Sequence, residues 1–229
     1  MLKHCATYHQ VINDIRDSTL SAGRAPESVR LLAVSKRQSP LAIRSLASCG
    51  QRAFGENYLQ EAETKIAALR DLDLEWHFIG PLQSNKTAGV AELFDWVHTV
   101  ERSKIAQRLN DQRPSELPPL NICVQVNVSG EMSKSGVSPD SLSELLEYLP
   151  SLPNLRFRGL MALPRPVDDF NQQRAMFKHL REIYLQAVGT QTDTLSIGTS
   201  SDYRAAIFEG ATIVRIGTAL FGARDQAGN

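Results

Sequence analysis

The sequence predicts the α/β class, as a single (β/α)8 TIM barrel that takes in residues 1–229 and has an extra helix at its N-terminus. Eight apolar runs typical of buried strands alternate with segments of helical periodicity, and this order indicates parallel βαβ units. A chain of 229 residues is long enough for eight such units. Its composition, 42% hydrophobic and 22% charged, is that of an ordinary globular domain. An open doubly wound sheet is the alternative arrangement of the same elements.

The predicted elements alternate along the whole chain. The segment MLKHCATYHQVINDIRD has an apolar residue every three or four positions, which predicts an amphipathic helix rather than a secretory signal. Strands are predicted over residues 31–35, 53–55, 75–79, 96–100, 121–128, 157–163, 194–198 and 213–217. Helices are predicted over residues 40–48, 58–70, 84–93, 102–111, 139–148, 168–187 and 201–209. The second strand is the short and weakly apolar one.

Residues that favour helix ends lie at the boundaries of the predicted helices. Ser138 and Pro139 are a typical N-cap and first helical residue. Asp140 adds a carboxylate to the same first turn, where the helix dipole favours it. Gly50 and Gly210 come just after predicted helices, where a left-handed residue is favoured. These signals support the predicted helix boundaries.

The charge and the cysteine content exclude several classes of protein. Lys+Arg and Asp+Glu both number 25, so we expect neither nucleic acid nor a membrane as a partner. No run approaches the roughly 18 apolar residues of a membrane span. Cys5, Cys49 and Cys123 are far apart and odd in number, which argues against disulfides and a structural zinc site. We expect a cytoplasmic protein without a metal, and a monomer because no exposed apolar stripe is evident.

Two basic residues lie on or directly after predicted strands of a fold whose active sites lie at the carboxyl ends of the strands. The run LLAVSK places Lys36 after the first strand, as a reactive amine in a cleft or as a surface lysine. Arg215 lies between apolar residues in the last strand. A guanidinium is not deprotonated and needs an acceptor. Arg215 therefore either pairs with a barrel glutamate or holds a ligand acceptor.

Two glycine-containing turns predict a phosphate site. The turn GTSSD over residues 198–202 and the pair Gly217-Thr218 each join a strand to a helical segment, which exposes backbone N–H groups. Barrels hold phosphate at such turns after strands seven and eight. The alternative is that Ser201 and Asp202 only cap the following helix.

Three further residues near strand ends have two interpretations each. His77 in EWHFIG points inward, either to a flat ligand or to a buried hydrogen bond, which is the commoner role of a lone histidine. Asn57 either binds a ligand hydroxyl or caps a helix. Met161 is core packing unless a ring lies against it. No GxSxG, HExxH or GxGxxG motif is present, so serine hydrolase, zincin and Rossmann readings have no support.

Seven segments together resemble a known family along nearly the whole chain. They are, in order, LLAVSK, FGENYLQE, WHFIGPLQSNK, VQVNVSGEMSKSG, RGLMALP, LSIGTSSD and VRIGTALFGAR. The chain is identified by them as similar to the pyridoxal phosphate homeostasis proteins, which are single-domain relatives of the alanine racemase barrel. The resemblance implies a fold-type III barrel that binds pyridoxal 5'-phosphate (PLP).

The resemblance also implies a role for eight residues. Lys36 would form a Schiff base with the cofactor aldehyde, which needs the neutral amine that partial desolvation favours. Ser200, Gly217 and Thr218 would hold the phosphate, and Arg215 would face the pyridine nitrogen. Asn57, His77 and Met161 would line the ring. Because an arginine only donates, the ring nitrogen would stay unprotonated and the cofactor would be a weak electron sink.

The resemblance implies a carrier or buffer of PLP, with apo PLP-dependent enzymes as recipients and no catalytic residue. Racemases of this barrel use a tyrosine from a second domain, for which a chain that ends at Asn229 leaves no room. A small racemase and an aldolase-like barrel without cofactor remain the alternatives. Lys134 matches a family lysine and is a candidate acceptor during transfer.

The sequence departs from the family pattern in two places. The proline expected three residues after the lysine is instead Pro40, and Ile197 and Thr199 replace a methionine-rich turn. The first departure lies beside Lys36, so the geometry of that loop is where we expect a difference from the family.

Overall fold

Eight parallel strands form a closed barrel. The computed structural model describes residues 2–128, 135–189 and 192–222, and each strand pairs with the next until β8 meets β1. The strands are β1 Arg30–Val34, β2 Ala53–Glu56, β3 Glu75–Phe78, β4 Trp96–Val100, β5 Leu120–Gln125, β6 Leu155–Met161, β7 Thr194–Ser196 and β8 Ile213–Ile216. The predicted fold class is therefore confirmed, and the open doubly wound alternative is wrong.

Helices surround the barrel and follow the predicted order. They are α1 Leu2–Ser21, α2 Pro40–Ala47, α3 Leu59–Ala68, α4 Thr87–Leu93, α5 Ser103–Gln112, α6 Pro139–Tyr148, α7 Phe170–Val188, α8 Tyr203–Phe208 and α9 Thr218–Phe221. Short 3-10 turns occupy Pro26–Ser28, Ser84–Lys86 and Leu149–Ser151. The segment predicted as one helix over 84–93 is thus a 3-10 turn followed by α4. The periodicity of the sequence does not distinguish a 3-10 turn from the first turn of an α-helix.

The helix ends show why these segments fold locally as they do. The Ser138 hydroxyl accepts a hydrogen bond from the Ser141 backbone N–H at 3.2 Å, with Pro139 as the first helical residue. Gly50 and Gly210 follow α2 and α8 with φ of 111° and 98°. Both the predicted N-cap and the predicted left-handed glycines are confirmed.

Alternation along the strands separates two apolar regions. Large side chains such as Phe54, Phe94 and Phe177 are fully buried between the barrel and its helices. Inside the barrel are two smaller clusters, one of Leu32, Ala53, Ile79 and Ile213 and one of Trp96, Cys123 and Met161. Successive residues of a strand point to opposite faces, which produces this division. Polar side chains occupy other interior positions, and they support the site described below.

The N-terminal helix packs across α2, α8 and α9. This packing brings Cys5 to Cys49, whose Cα atoms are 5.2 Å apart, and the two form a disulfide. The prediction that the cysteines are unpaired is therefore wrong, because a sequence separation of 44 residues does not reveal how two helices cross. Cys123 is a buried thiol inside the barrel, and burial raises its pKa to about 12. No helix in the described part of the chain is long and apolar enough to cross a membrane.

Candidate functional site

A cavity of about 520 Å³ opens at the carboxyl ends of the strands. Its volume suits a small-molecule ligand. Six of the predicted site residues line it: Lys36, Asn57, Ser200, Arg215, Gly217 and Thr218. The other lining residues are Val34, Gln38, Ile79, Leu163, Thr199, Ser201 and Gly222. Of these, the sequence marked Ser201 only as a possible helix cap and Thr199 only as a departure from the family pattern, and it singled out none of the rest.

Lys36 stands in a tight turn directly after β1. The backbone N–H of Gln38 donates to the carbonyl of Ser35 at 3.0 Å, which makes Lys36 and Arg37 the two central residues of the turn. Arg37 has φ of 61°, a left-handed conformation that costs a residue with a Cβ roughly 1 kcal/mol. In the described part of the chain it is the only residue other than glycine with a positive φ. Lys36 is thus presented to the cavity by a strained turn.

A buried group of charges lies behind this turn, and we call it the Lys65 cluster, meaning Lys65, Glu56 and Glu61. The Lys65 ammonium donates to the Ser35 carbonyl at 2.7 Å, to Glu56 Oε1 at 2.8 Å and to Glu61 Oε1 at 2.6 Å. The Ser35 hydroxyl donates to Glu56 Oε1 at 2.5 Å. The Arg37 backbone N–H donates to Glu61. Both neighbours of Lys36 are therefore tied to the same cluster.

Glu56 is the most deeply buried member of the cluster, with a side chain that is 0% exposed. Burial raises the pKa of this carboxyl, against the opposing effects of Lys65 and Ser35. Its second oxygen, Oε2, has no hydrogen-bond partner among the described residues. Sequence reasoning did not identify Lys65 as a supporting residue. The spacing of Glu61 and Lys65, four residues apart on α3, was the available signal.

The two glycine-containing turns meet at the cavity. The backbone N–H of Gly217 donates to the Ser200 hydroxyl at 3.3 Å, which joins the turn after β7 to the turn after β8. Asp202 accepts from the Thr199 backbone N–H at 2.6 Å and from its hydroxyl at 2.9 Å. Asp202 therefore braces the turn, and its side chain makes no cap bond to α8, contrary to the capping alternative. Gly198 is required there, because a Cβ would lie 2.7 Å from Ala206 Cβ.

Arg215 enters the cavity from inside the barrel, where its side chain is almost fully buried. Its Nη1 donates to the carbonyl and hydroxyl of Ser196 at 2.6 and 2.7 Å, and its Nη2 donates to the carbonyl of Ala162 at 3.0 Å. Burial lowers the pKa of Arg215 to about 10, so the guanidinium remains charged at neutral pH. Its hydrogen-bond acceptors among the described residues include no glutamate, which disfavours the pairing alternative.

A line of hydrogen bonds continues from Arg215 through the barrel, and we call it the interior chain: Arg215, Ser196, His98, His77 and Glu75. His98 Nδ1 lies 3.0 Å from Ser196 Oγ, and its Nε2 lies 2.9 Å from His77 Nδ1. His77 Nε2 lies 2.6 Å from Glu75 Oε1. Arg215 can only donate and an ionised Glu75 can only accept, so the chain begins at the cavity and ends at the opposite mouth.

The interior chain has one consistent assignment of protons. Burial lowers the pKa of both His77 and His98, the latter well below its ordinary value, so both rings are neutral. With a proton on Nε2 of each ring, the Ser196 hydroxyl donates to His98, His98 donates to His77, and His77 donates to Glu75. Ser196, His98 and His77 then each donate one hydrogen bond and accept another, which satisfies these buried polar groups.

His77 and Met161 lie beneath the cavity and are not among its lining residues. The His77 ring stacks on Trp96 at 5.3 Å between centroids, and Met161 packs against Trp96 and Cys123. His77 therefore makes buried hydrogen bonds and does not contact the cavity. Asn57 does reach the cavity, and its buried Oδ1 has no hydrogen-bond partner among the described residues.

Two further predictions concern groups elsewhere. Lys134, the candidate acceptor during transfer, lies outside the described residues. In the segments 2–128, 135–189 and 192–222, no group of three or more His, Cys, Asp and Glu side chains is arranged to hold a metal ion.

Comparison with known proteins assigns the chain to a family. A family model described as the alanine racemase N-terminal domain matches residues 19–225. A pyridoxal phosphate homeostasis protein of Pseudomonas aeruginosa is 60% identical over 211 residues, which are 92% of this chain and 91% of that protein. The Escherichia coli protein of that name is 51% identical over 226 residues, 95% of each chain. This barrel is thus of the alanine racemase type. The chain belongs to the family of pyridoxal phosphate homeostasis proteins.

Solved structures agree with this family. PipY of Synechococcus elongatus without PLP aligns with a TM-score of 0.79 at 39% identity, over 91% of this chain and 100% of PipY. PipY with PLP bound gives the same TM-score at 38% identity. An alanine racemase of Corynebacterium glutamicum, 17% identical, aligns with a TM-score of 0.66 over 93% of this chain and 60% of the racemase, and shares the fold.

Proposed function

We propose that this protein binds PLP in the cavity, as a Schiff base on Lys36, and takes part in cytoplasmic PLP homeostasis as a non-catalytic carrier. One observation carries the proposal. A lysine, an arginine and two glycine-containing turns from β1, β7 and β8 converge on one cavity of ligand size. Relatives named for PLP homeostasis and a PLP-bound neighbour support the choice of cofactor.

The lining residues fit the chemical groups of PLP. The cofactor supplies an aldehyde and an anionic phosphate. Ser200, the Gly217 backbone N–H and the Thr218 hydroxyl offer hydrogen bonds to the phosphate oxygens. Asn57 has an unsatisfied buried acceptor for a ligand donor. Arg215 keeps N–H groups beyond those that bond Ser196 and Ala162, and we assign one of them to the pyridine nitrogen.

Lys36 would act as the nucleophile toward the aldehyde. Its neutral amine forms a C=N bond, and the aldehyde oxygen leaves as water, so binding is covalent and reversible by hydrolysis. We assign His77 and Met161 to the support beneath the cofactor, with His77 acting on Arg215 through His98 and Ser196.

Two features support a carrier rather than an enzyme with turnover. Lys36 is the only lining residue of the described chain whose side chain is an ordinary base, whereas racemisation needs two bases on opposite faces of the substrate. Arg215 would donate to the ring nitrogen and leave it unprotonated, which would weaken the cofactor as an electron sink. Apo PLP-dependent enzymes are the expected recipients.

The experiment that tests the proposal is an absorption spectrum of the purified protein after incubation with PLP, before and after borohydride. We expect a Schiff-base band near the visible edge and, after reduction, a phosphopyridoxyl adduct on the Lys36 peptide. Lys36→Ala should lose both, while Lys86→Ala, a partly buried lysine outside the cavity, should keep both. A wild-type protein that stays colourless with PLP would refute the proposal.

A second measurement separates a carrier from a racemase. The loaded protein is incubated with L-amino acids in D2O, and α-proton exchange is followed by NMR alongside delivery of PLP to an apo-enzyme. We expect reactivation of the apo-enzyme without exchange. Exchange that depends on Lys36 would favour the racemase alternative.

A further inference from the structure

We infer that Lys65 is a positioning residue for Lys36: through the Lys65 cluster it holds the turn that presents the amine to the cavity. The inference rests on the proposed Schiff base at Lys36. Lys65 itself does not line the cavity, so it acts through its neighbours and not on a ligand.

The cluster contacts the residue before Lys36 and the residue after it. On the amino side, the Lys65 ammonium donates to the Ser35 carbonyl at 2.7 Å, the same oxygen that closes the turn with Gln38. On the carboxyl side, Glu61 accepts from the Arg37 backbone N–H and from Lys65. One ammonium thus fixes the residue before Lys36 directly and the residue after it through a carboxylate.

The conformation that the cluster holds is one that the local sequence disfavours. Arg37 has a Cβ and nonetheless adopts φ of 61°, although its exposed side chain imposes no such geometry. Strained residues of this kind persist when the surroundings determine their conformation. The hydrogen bond from the Arg37 N–H to Glu61 is the described contact that supports it.

Burial makes the cluster a firm support. The Lys65 side chain is 4% exposed and that of Glu56 is 0% exposed, so water does not replace their hydrogen bonds. Glu56 also accepts from the Ser35 hydroxyl, which fixes the end of β1 to the end of β2.

A purely structural role is the competing interpretation. An ion cluster that only fastens α3 to the barrel would change stability when broken, but it would leave the reactivity of Lys36 unchanged in the folded protein. A positioning role alters the rate at which Lys36 captures an aldehyde, because small displacements of a nucleophile strongly affect reaction rate.

The test compares Glu61→Ala with Glu63→Ala on α3. Glu63 is exposed, has no part in the cluster and undergoes the same change of charge. Apo protein is mixed with PLP, and growth of the Schiff-base band is followed by stopped flow. We expect Glu61→Ala to react about tenfold more slowly than wild type, and Glu63→Ala to match wild type. Lys65→Met should be slower still.

A readout without cofactor keeps the inference separate from the proposed function. Trypsin cleaves after Lys36 and Arg37 only when the turn opens, so limited proteolysis with mass analysis reports its rigidity in the apo protein. We expect faster cleavage there in Glu61→Ala than in Glu63→Ala. If wild type forms no Schiff base, the proposed function fails, and the proteolysis result still decides whether the cluster holds the turn.

Rescue distinguishes positioning from general destabilisation. Glycine adopts a positive φ freely, so Arg37→Gly added to Glu61→Ala should recover most of the lost rate. If Glu61→Ala and folded Lys65→Met both react and are cleaved like wild type, the inference is wrong. It is also wrong if the Glu61→Ala defect persists unchanged in the double variant, since the turn conformation would then not be its cause.

Discussion

Lys36 and Arg215 face the same cavity but are supported by different chemistry. The Lys36 turn is held from outside the barrel by an ammonium and two carboxylates within a few ångströms of one another. Arg215 is held from inside by carbonyls, a hydroxyl and two neutral imidazoles, and the nearest carboxylate in its hydrogen-bond line is Glu75, four bonds away.

The difference shows two ways of burying a cation. Where charges meet directly, geometry is fixed by strong contacts, but removal of one partner leaves another charge buried and unpaired. Where dipoles connect the charges, each member depends on the proton position of the next, so a single substitution interrupts the whole line. The following predictions separate these two forms of support.

The largest effect is expected from the ionic support. Lys65→Met leaves the Glu56 carboxylate buried without its cation, which should lower the free energy of unfolding by about 3–5 kcal/mol. Urea denaturation measures the change. Arg44→Met, which breaks the exposed pair with Asp71, should have little effect. If Lys65→Met and Arg44→Met lower the free energy of unfolding equally, burial of the Lys65 cluster adds nothing to the effect of breaking an ion pair.

Interruption of the interior chain is expected to cost less. His98→Leu leaves the Ser196 hydroxyl without its acceptor and His77 Nδ1 without its donor, which should lower the free energy of unfolding by about 2–3 kcal/mol. It should also weaken PLP binding, because Ser196 would no longer be held against Arg215. His179→Leu, an exposed histidine on α7, is the control for both measurements. Wild-type affinity in a folded His98→Leu protein would contradict the assigned role of the chain.

A fall in pH should have opposite effects on the stability contributed by the interior chain and by Glu56 of the Lys65 cluster. Burial lowers the pKa of His77 and His98 below 6.5, so the unfolded state binds more protons than the folded state as pH falls below that value. Stability is then lost at up to about 1.4 kcal/mol per pH unit for each histidine. Glu56, whose pKa burial raises, opposes this trend because protonation relieves its penalty. Urea unfolding at several pH values below 6.5 gives the free energy of unfolding as a function of pH. This free energy should fall less steeply with falling pH in His98→Leu than in wild type. An identical pH dependence would contradict the assignment of His98 as a buried neutral imidazole.

The smallest effect is a gain in stability. Arg37→Gly removes the left-handed strain of the turn but adds freedom to the unfolded chain, so the free energy of unfolding should rise by only about 0.5 kcal/mol. Thermal and urea unfolding both measure it. A loss of more than about 1 kcal/mol would mean that the Arg37 side chain stabilises the turn by contacts of its own.

The fold was predictable because its signal is local. Each strand and helix shows its own periodicity, and the alternation of eight pairs leaves few possible arrangements. Lys36, Arg215 and the two glycine-containing turns were predictable for the same reason, since a position at a strand end places a residue at the mouth of a barrel.

The supporting groups depend on contacts that the sequence does not show. Strand alternation indicated that His77 points inward, but its partner His98 belongs to the next strand, and Ser196 is far along the chain. The Lys65 cluster requires the crossing of α3 over the ends of β1 and β2. The disulfide requires the packing of α1 on α2. Each of these contacts is set by tertiary packing rather than by a local pattern.

The interior chain has a consequence for the electric field of the molecule. Its carboxylate terminus, Glu75, is paired with Arg30 at 2.6 Å on the far side of the barrel, so the carboxylate of this line lies away from Arg215 and the cavity. In a protein with a formal net charge of zero, we therefore expect the buried guanidinium of Arg215 to contribute a local positive potential at the cavity. That potential would favour the approach of anions to the cavity, and added salt would slow their capture.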